Sequence, residues 1–283
     1  MSTVNRIVGS GGPHRGTRAP ESAHGKAAPG TPDSKEFMAS LAKGLAVLSA
    51  FGPSRPAMNL TEAASAARLS RAAARRVLIT LRELGYVDQK GRDFALTPRI
   101  LDLGFAYLAI LDWVERAEPL LKDLSAQFQE AATAATLHGV DAVVVAHSHA
   151  PAWIMTSSMA VGTRLPAFHS ALGRIQLGYL DDVEIWRRLR GISIEPYTQS
   201  TIVDPAALVE RVKADRAQGF SLVDEELENG LRALAVPLVG HDGAPVGAIN
   251  LSTHAARTTR NELRDHHLPR LKQAAAAISR FLV

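Results

Sequence analysis

Residues Leu69–Val87, LSRAAARRVLITLRELGYV, set four arginines among small and aliphatic side chains. The apolar positions recur at helical spacing and are expected to face a core: Leu69, Val77, Leu78, Leu81 and Leu84. Ser70 is a suitable N-cap for such a helix, and Gly85 is a suitable residue to end it. The stretch therefore predicts one amphipathic helix that begins after Ser70 and ends near Leu84.

The face of this helix opposite the core is basic and contains small residues. It carries Arg71, Ala72, Arg75 and Arg76, with Thr80 close by. Short side chains let a helix approach base edges and thymine methyl groups, while arginine reaches guanine or phosphate. For a lone helix, a solvated arginine-rich face would be an adequate alternative explanation. The neighbouring segments favour DNA binding.

Those neighbours have a specific order. Before the basic helix, one apolar stripe predicts a first helix, ended by Gly52-Pro53: Phe37, Leu41, Leu45, Leu48 and Phe51. A two-turn second helix enters at Asn59 or Leu60, and Arg68-Leu69 forms the turn. Two short strands follow around Lys90-Gly91. This order is typical of a winged helix-turn-helix over residues 35–98. The predicted DNA-contacting residues are Ser70, Arg71, Ala72, Arg75, Arg76, Thr80, Lys90 and Arg92.

Charge and composition agree with a polyanion partner for this segment. Residues 35–98 hold ten Lys and Arg against five acids, whereas residues 99–283 hold eighteen against twenty-one, within a net charge of +4. The absence of cysteine excludes disulfides and thiolate chemistry. No stretch has the about 18–20 apolar residues of a membrane span, and the N-terminus lacks a secretory core, so we expect a cytoplasmic protein without membrane partners. Residues 1–34 are rich in Gly, Pro and Ser and predict a disordered tail. This tail either has no specific role in solution or makes weak contacts with DNA through its Arg and Lys residues.

After the wing, residues 99–113 predict a linker helix and residues 114–283 a second domain. Strand-like segments flank Gly139-Val140-Asp141, and a third precedes Phe168. A helix ends at Gly219, and a hairpin turns at His241-Asp242-Gly243. Strands that alternate with helices in this way predict an antiparallel sheet flanked by helices, an α+β domain.

Several separated motifs carry a family resemblance over residues 36–283. The segments LTEAASAARLSRAAARRVLITLRELGYV and FALTPRILDLGFAYL resemble the N-terminal domain of IclR-type bacterial transcriptional regulators. Within that family, LSRAAARR and AVGTRLPAFHSALGR resemble the PcaR/PobR/PcaU branch, which regulates aromatic-acid catabolism through the β-ketoadipate pathway. The resemblance implies a GAF-like effector domain and a linker helix that contributes to dimerisation.

The resemblance also implies where a small effector binds. Family ligands lie beside the loop that matches FHSALGR, the LRALAV strand and the last strand. This carries over to Ala171, Leu172, Gly173, Ala233, Ala235, Asn250 and Ser252. From the residues alone, the alternation in GAINLST places Ala248, Asn250 and Ser252 on one face. Polar groups on an inward face favour a wet or ligand-filled pocket, although Ala and Gly also line ordinary tight cores.

Three features leave alternatives open. A carboxylate ligand could be anchored by the amides of Ser170 to Arg174, which are our preferred site. Arg164 and His169 are alternative anchors. Arg164 could equally be a surface or salt-bridge residue, and a histidine such as His169 is more often a hydrogen-bonded structural residue. The acidic run Asp224 to Gly230 is read as a solvated turn in preference to a metal or ligand site. His147 and His149 share a strand face and could form a zinc site with His169, but the signal is weak.

The sequence therefore predicts a DNA-binding transcriptional regulator, not an enzyme, with no cofactor or metal. Its partners are a double-stranded operator, a small carboxylic acid, a second or further copies of itself as dimer or tetramer, and RNA polymerase. The acid is of the protocatechuate or 4-hydroxybenzoate kind, or β-ketoadipate. The alternative function is a metal-dependent hydrolase with a nucleic-acid tether, using His147, His149 and the acids Asp224 to Glu228. No nucleophile elbow, P-loop or dinucleotide motif supports it.

Overall fold

The computed structural model describes residues 36–149 and 159–282, which divide into two compact units at Asp112/Trp113. The predicted tail over residues 1–34 lies outside the described residues, as does the first part of the predicted third strand segment, residues 151–158. Among the described residues, no helix is long and apolar enough to cross a membrane. Each unit is described separately below.

The first unit has the predicted element order, with one strand more than expected. Helix α1 covers Ala39–Leu48, β1 Ala57–Asn59, α2 Leu60–Ala66, α3 Arg71–Glu83, β2 Val87–Lys90, β3 Asp93–Leu96 and α4 Ile100–Leu108. The strands pair antiparallel in the order β1-β3-β2. Asn59 caps α2 through a capping box with Glu62, and Arg68 makes the turn to α3 at φ 55°. Gly85 leaves α3 at φ 78°, a conformation that glycine adopts without strain.

The core of this unit lies between α1, α2, α3 and the small sheet. It is built around Val47, Met58, Ala63, Leu78 and Phe94, with Leu81 and Val87. Part of the apolar stripe of α1 lies outside this core: Leu41 and Leu45 are more than half exposed, whereas Val47 is buried. Leu84 is also exposed, since α3 has ended before it and the chain turns away at Gly85.

The second unit is an antiparallel sheet with helices on both faces, as predicted. Its elements are α5 Asp112–Phe128, β4 Ala131–His138, β5 Asp141–Ser148, β6 Arg164–Pro166, α6 Ala171–Leu177, α7 Asp182–Arg190, α8 Pro205–Gln218, β7 Ser221–Asp224, β8 Leu231–Val239, β9 Pro245–His254, α9 Arg260–Glu262, a π-helical turn Leu263–His267 and α10 Leu268–Ser279. The six strands run in the order β6-β5-β4-β9-β8-β7. The end of α8 at Gly219 and the β8–β9 hairpin match the sequence prediction.

The two faces of this sheet are covered by different helices. Helix α6 packs on β4, β7, β8 and β9 from one side, with α8 against it, while α10 packs on β8 and β9. Helix α5 contacts the π-helical turn before α10 through stacking of Phe128 on His267. Gly247 lets Trp113 lie against β9, because a Cβ there would be 3.0 Å from the indole ring. Residues of β9 therefore alternate between two covered faces.

Candidate DNA-binding surface and ligand-binding face

The basic face of α3 is open to solvent. Arg71, Ala72, Arg75, Arg76 and Thr80 are all exposed, whereas Ala74 and Leu78 are fully buried. The sequence thus predicted the two faces of this helix correctly, except at Leu84, which follows the helix and is exposed. Ser70 is exposed and caps the helix, its Oγ accepting from the Ala73 amide at 3.2 Å. The hydroxyl of Thr80 donates to the Arg76 carbonyl at 2.9 Å.

A groove of about 740 Å³ separates α3 from the wing. Arg71, Arg75 and Arg82 line it from the helix, and Gln89 and Arg92 line it from the hairpin. Arg82 donates to Gln89 at 2.9 Å, so the helix and the wing are joined by a side-chain bond. Lys90 and Arg92 are exposed on the hairpin. Sequence reasoning missed Arg82 and Gln89, because strand register decides which hairpin side chain meets the helix.

Four of the seven predicted effector residues form one buried cluster. Ala171 and Leu172 of α6 pack against Ala233 and Ala235 of β8, together with Val223 and Ala248. We call this side of the sheet the α6 face. Asn250 stands opposite Ala235, and Ser252 opposite Ala233, so both belong to the α6 face. The alternation predicted for the last strand is therefore confirmed, with Ile249 and Leu251 fully buried on the other side.

Asn250 has an unsatisfied polar atom. Its side chain is 5% exposed, its Nδ2 donates to Ser252 Oγ at 3.0 Å, and its Oδ1 has no hydrogen-bond partner. A buried polar atom left unpaired costs roughly 1–3 kcal/mol. Buried polar atoms that lack a protein partner ordinarily form a hydrogen bond with water or a ligand. Asn250 is thus the residue of the α6 face that most directly indicates a binding site.

Gly173 has a different position from the other predicted effector residues. It is buried, and a Cβ on it would lie 2.2 Å from Ala167 Cα, so it faces the preceding loop. Its amide donates to Ser170 Oγ at 3.2 Å, and the Arg174 amide donates to the Ser170 carbonyl. Two of the amides that we preferred as the carboxylate anchor are therefore used within the helix cap.

The two other predicted anchors are held by protein groups. Arg164 Nε lies 3.1 Å from Asp141 Oδ2, an ion pair between β6 and β5. His169 is 2% exposed, and its Nε2 bonds the Ile202 carbonyl at 3.1 Å, which agrees with a structural histidine. Burial lowers the pKa of His169. His169 therefore does not join His147 and His149, and the described residues contain no group of three metal-ligating side chains.

The acidic run was wrongly predicted to be a solvated turn. Glu226 is 7% exposed and forms a bidentate ion pair with Arg174 at 2.6 and 3.1 Å, and Arg174 is completely buried. Asp224 pairs with Arg232 and Arg260. Arg174 also donates to the Phe168 carbonyl, so α6 is fastened to two loops. Sequence spacing gave no sign of this pair, because its partners are 52 residues apart.

A basic winged helix-turn-helix unit and an α+β unit with an unsatisfied buried amide define a two-domain regulator. Residues 40–91 match the IclR helix-turn-helix domain, and residues 105–280 match the bacterial transcriptional regulator IclR C-terminal domain. The chain belongs to the IclR family of bacterial transcriptional regulators. It is not an enzyme such as the metal-dependent hydrolase considered above, since its homologues are transcriptional regulators of the IclR family.

Three similar proteins refine this assignment. The Pca regulon regulatory protein of Pseudomonas putida is 40% identical over 246 residues, which are 87% of this chain and 84% of that protein. The crystal structure of a transcriptional regulator from Rhodococcus sp. RHA1 gives a TM-score of 0.75 at 40% identity, covering 86% and 98% of the two chains. The PobR inducer-binding domain of Acinetobacter, solved as a double mutant with 3-hydroxybenzoic acid, gives 0.53 at 29% identity, covering 58% and 95%.

Proposed function

We propose that this regulator binds a specific operator through α3 and the wing, with residues 35–98 as its DNA-binding domain. The observation that carries the proposal is the exposure, in one unit, of all eight predicted contact residues. Three of them, Arg71, Arg75 and Arg92, line the groove together with Arg82. The proposed contacts are Ser70, Arg71, Ala72, Arg75, Arg76, Thr80, Lys90 and Arg92. Ala72 and Ser70 allow close approach to base edges, and the arginines supply guanine and phosphate contacts.

The test is selection of duplexes from a randomised pool by the full chain. The wild type is expected to enrich one sequence, and the Arg71→Ala/Arg75→Ala variant is expected to lose that enrichment. Arg190→Ala/Arg264→Ala is the matched control, because it removes the same charge from exposed positions of the second unit. Enrichment of the same sequence by the Arg71/Arg75 variant, or none by the wild type, would refute the assignment.

We further propose that a small aromatic carboxylic acid of the β-ketoadipate pathway is the effector, bound on the α6 face. Asn250 Oδ1 supports this, since it is buried and unpartnered beside Ser252. The PobR domain, a relative at 29% identity, was solved with an aromatic acid. Ala171, Leu172, Ala233 and Ala235 would supply apolar surface, and Gly173 would act through packing of α6. Thermal-shift and calorimetric titration with protocatechuate, 4-hydroxybenzoate and β-ketoadipate tests the effector class.

The assembly is proposed to be a homodimer or a tetramer, acting in the cytoplasm. The described first unit leaves large apolar side chains exposed on α1 and α4 or directly beside these helices: Met38, Leu41, Leu45, Leu101, Leu103, Phe105, Tyr107 and Ile110. Exposed apolar residues in such number are typical of a protein interface. A dimer would read two half-sites about 34 Å apart or multiples of that distance. Analytical ultracentrifugation of the wild type is expected to show a dimer or a larger species. The Leu101→Glu/Phe105→Glu variant is expected to sediment as a smaller species.

A further inference from the structure

A row of polar side chains crosses three adjacent strands of the α6 face. Asn250 of β9 pairs directly with Thr133 of β4, and Thr133 pairs directly with His147 of β5. Residues directly opposite each other in an antiparallel pair share a face of the sheet. The row therefore continues from Ala235 through Asn250 and Thr133 to His147, beyond the cluster that α6 covers.

The hydrogen bonds along the row leave both of its ends available. Thr133 Oγ1 lies 2.9 Å from His147 Nδ1, so the imidazole is held in place by its neighbour. When Thr133 donates to Nδ1, the proton of the neutral ring is on Nε2. Among the described residues, Nε2 has no hydrogen-bond partner. Asn250 Oδ1 is unpartnered at the other end.

The separation of the two ends suits a single aromatic ring. Strands in a sheet lie about 4.8 Å apart, so Asn250 and His147, two strands apart, are separated by about 10 Å. A benzoic acid with a hydroxyl group on the ring has polar atoms at opposite ends and flat apolar faces between them. The side chains of the α6 face beside the row are small and apolar, including Ala135 and Ala248.

His147 has few charges around it. Burial lowers its pKa, and the neighbouring His149, whose ring centroid is 5.7 Å away, lowers it further. The other charged groups near these elements are already paired: Asp141 with Arg164 at the start of β5, and Glu226 with Arg174 on α6. An empty site therefore holds a neutral imidazole.

We propose that His147 receives the effector carboxylate on Nε2, while a ring hydroxyl of the same effector bonds the Asn250–Ser252 pair. The inference rests on the proposed function of the α6 face and names the groups that select the ligand. A carboxylate beside an imidazole stabilises its protonated form. Binding then takes up a proton from solvent onto Nδ1 of His147, and the Thr133 hydroxyl changes from donor to acceptor in its bond with Nδ1. The resulting imidazolium donates from Nε2 to the carboxylate.

The experiment is calorimetric titration of the full-length protein with 4-hydroxybenzoate and protocatechuate and with the corresponding amides. Titrations in buffers of different ionisation enthalpy give the number of protons taken up. For the wild type we expect positive proton uptake near pH 7 with the acids and none with the amides. In His147→Gln, uptake is expected to vanish and acid affinity to fall about tenfold or more, because a charge-assisted hydrogen bond is lost.

The control is His138→Gln, an exposed histidine at the end of β4, which should behave as wild type. His147→Gln should retain its affinity for the amides, which shows that the face remains folded. If the wild type binds neither acid, the aromatic-acid part of the proposed function is wrong. If the wild type binds the acids but His147→Gln keeps their affinity and proton uptake, the proposed function stands and the role of His147 is refuted.

Discussion

Side chains on α3 and on the wing beside it are expected to make different kinds of contact with DNA. Arg75 lies on the helix face and in the groove, whereas Lys90 is exposed on the wing. Arg75→Ala is expected to cost about 1–3 kcal/mol at the operator and to relax base preference, because arginine reads guanine edges. Lys90→Ala is expected to weaken binding to all sequences and to reduce the salt dependence, because a phosphate contact is lost. Titrations with operator and random duplex at several salt concentrations measure both. Equal losses on both duplexes for both variants would contradict this division.

The two faces of β9 give a second contrast between adjacent residues. Leu251 is fully buried, so Leu251→Ser is expected to cost about 2–5 kcal/mol of folding free energy and to lower the melting temperature. Ser252 is half-buried and accepts from Asn250, so Ser252→Val should cost only about 1 kcal/mol of folding. It is expected to weaken effector binding by about 1–3 kcal/mol. Melting curves and calorimetry separate the two effects. A Ser252→Val protein that binds acids as wild type does would place the site elsewhere.

Among the elements, α6 depends on one glycine. In Gly173→Ala, the new Cβ would lie 2.2 Å from backbone of Ala167, so the helix or its loop must move. We expect a loss of about 3 kcal/mol or more of folding free energy. Gly44→Ala in α1 is the control, since nothing lies within 4 Å of its Cβ, and a gain of about 0.5–1 kcal/mol is expected. Urea unfolding measures both changes. A Gly173→Ala protein as stable as wild type would contradict the packing described for α6.

The elements that could be predicted from the sequence are those whose boundaries are set by residues close together in the chain. Periodicity and caps located α2, α3, α8 and the β8–β9 hairpin, because each is set by neighbouring residues. Strand β1 was missed, since three residues gain strand geometry only by pairing with β3. The polar row on the α6 face was missed for the same reason: alternation indicates a face, but register decides which residues of different strands meet. Periodicity placed Leu41 and Leu45 on one apolar stripe of α1, but periodicity alone does not tell which members of a stripe are buried, and both are exposed.

For the whole molecule, buried histidines predict a pH dependence of stability. Burial lowers the pKa of His147, His169 and His267 from 6.5 in the folded state. As pH falls below 6.5, the unfolded chain binds protons that the folded chain excludes, so stability is present above pH 6.5 and is lost on acidification. Each histidine adds a slope of at most about 1.36 kcal/mol per pH unit. Melting curves over this range should show a shallower slope for His169→Gln, which keeps a donor for the Ile202 carbonyl. An unchanged slope would contradict the buried neutral state of His169.

An effector bound on the proposed α6 face is expected to change operator binding by α3. A ligand shifts an equilibrium only by the ratio of its affinities for two states, and the effect is reciprocal, typically about 1–3 kcal/mol. The direct measurement is titration of the selected operator with and without a saturating aromatic acid, paired with titration of the acid with and without operator. The account predicts that both affinities change by the same factor, between about 5-fold and 150-fold. Affinities that are identical in the presence and absence of the other ligand would contradict it.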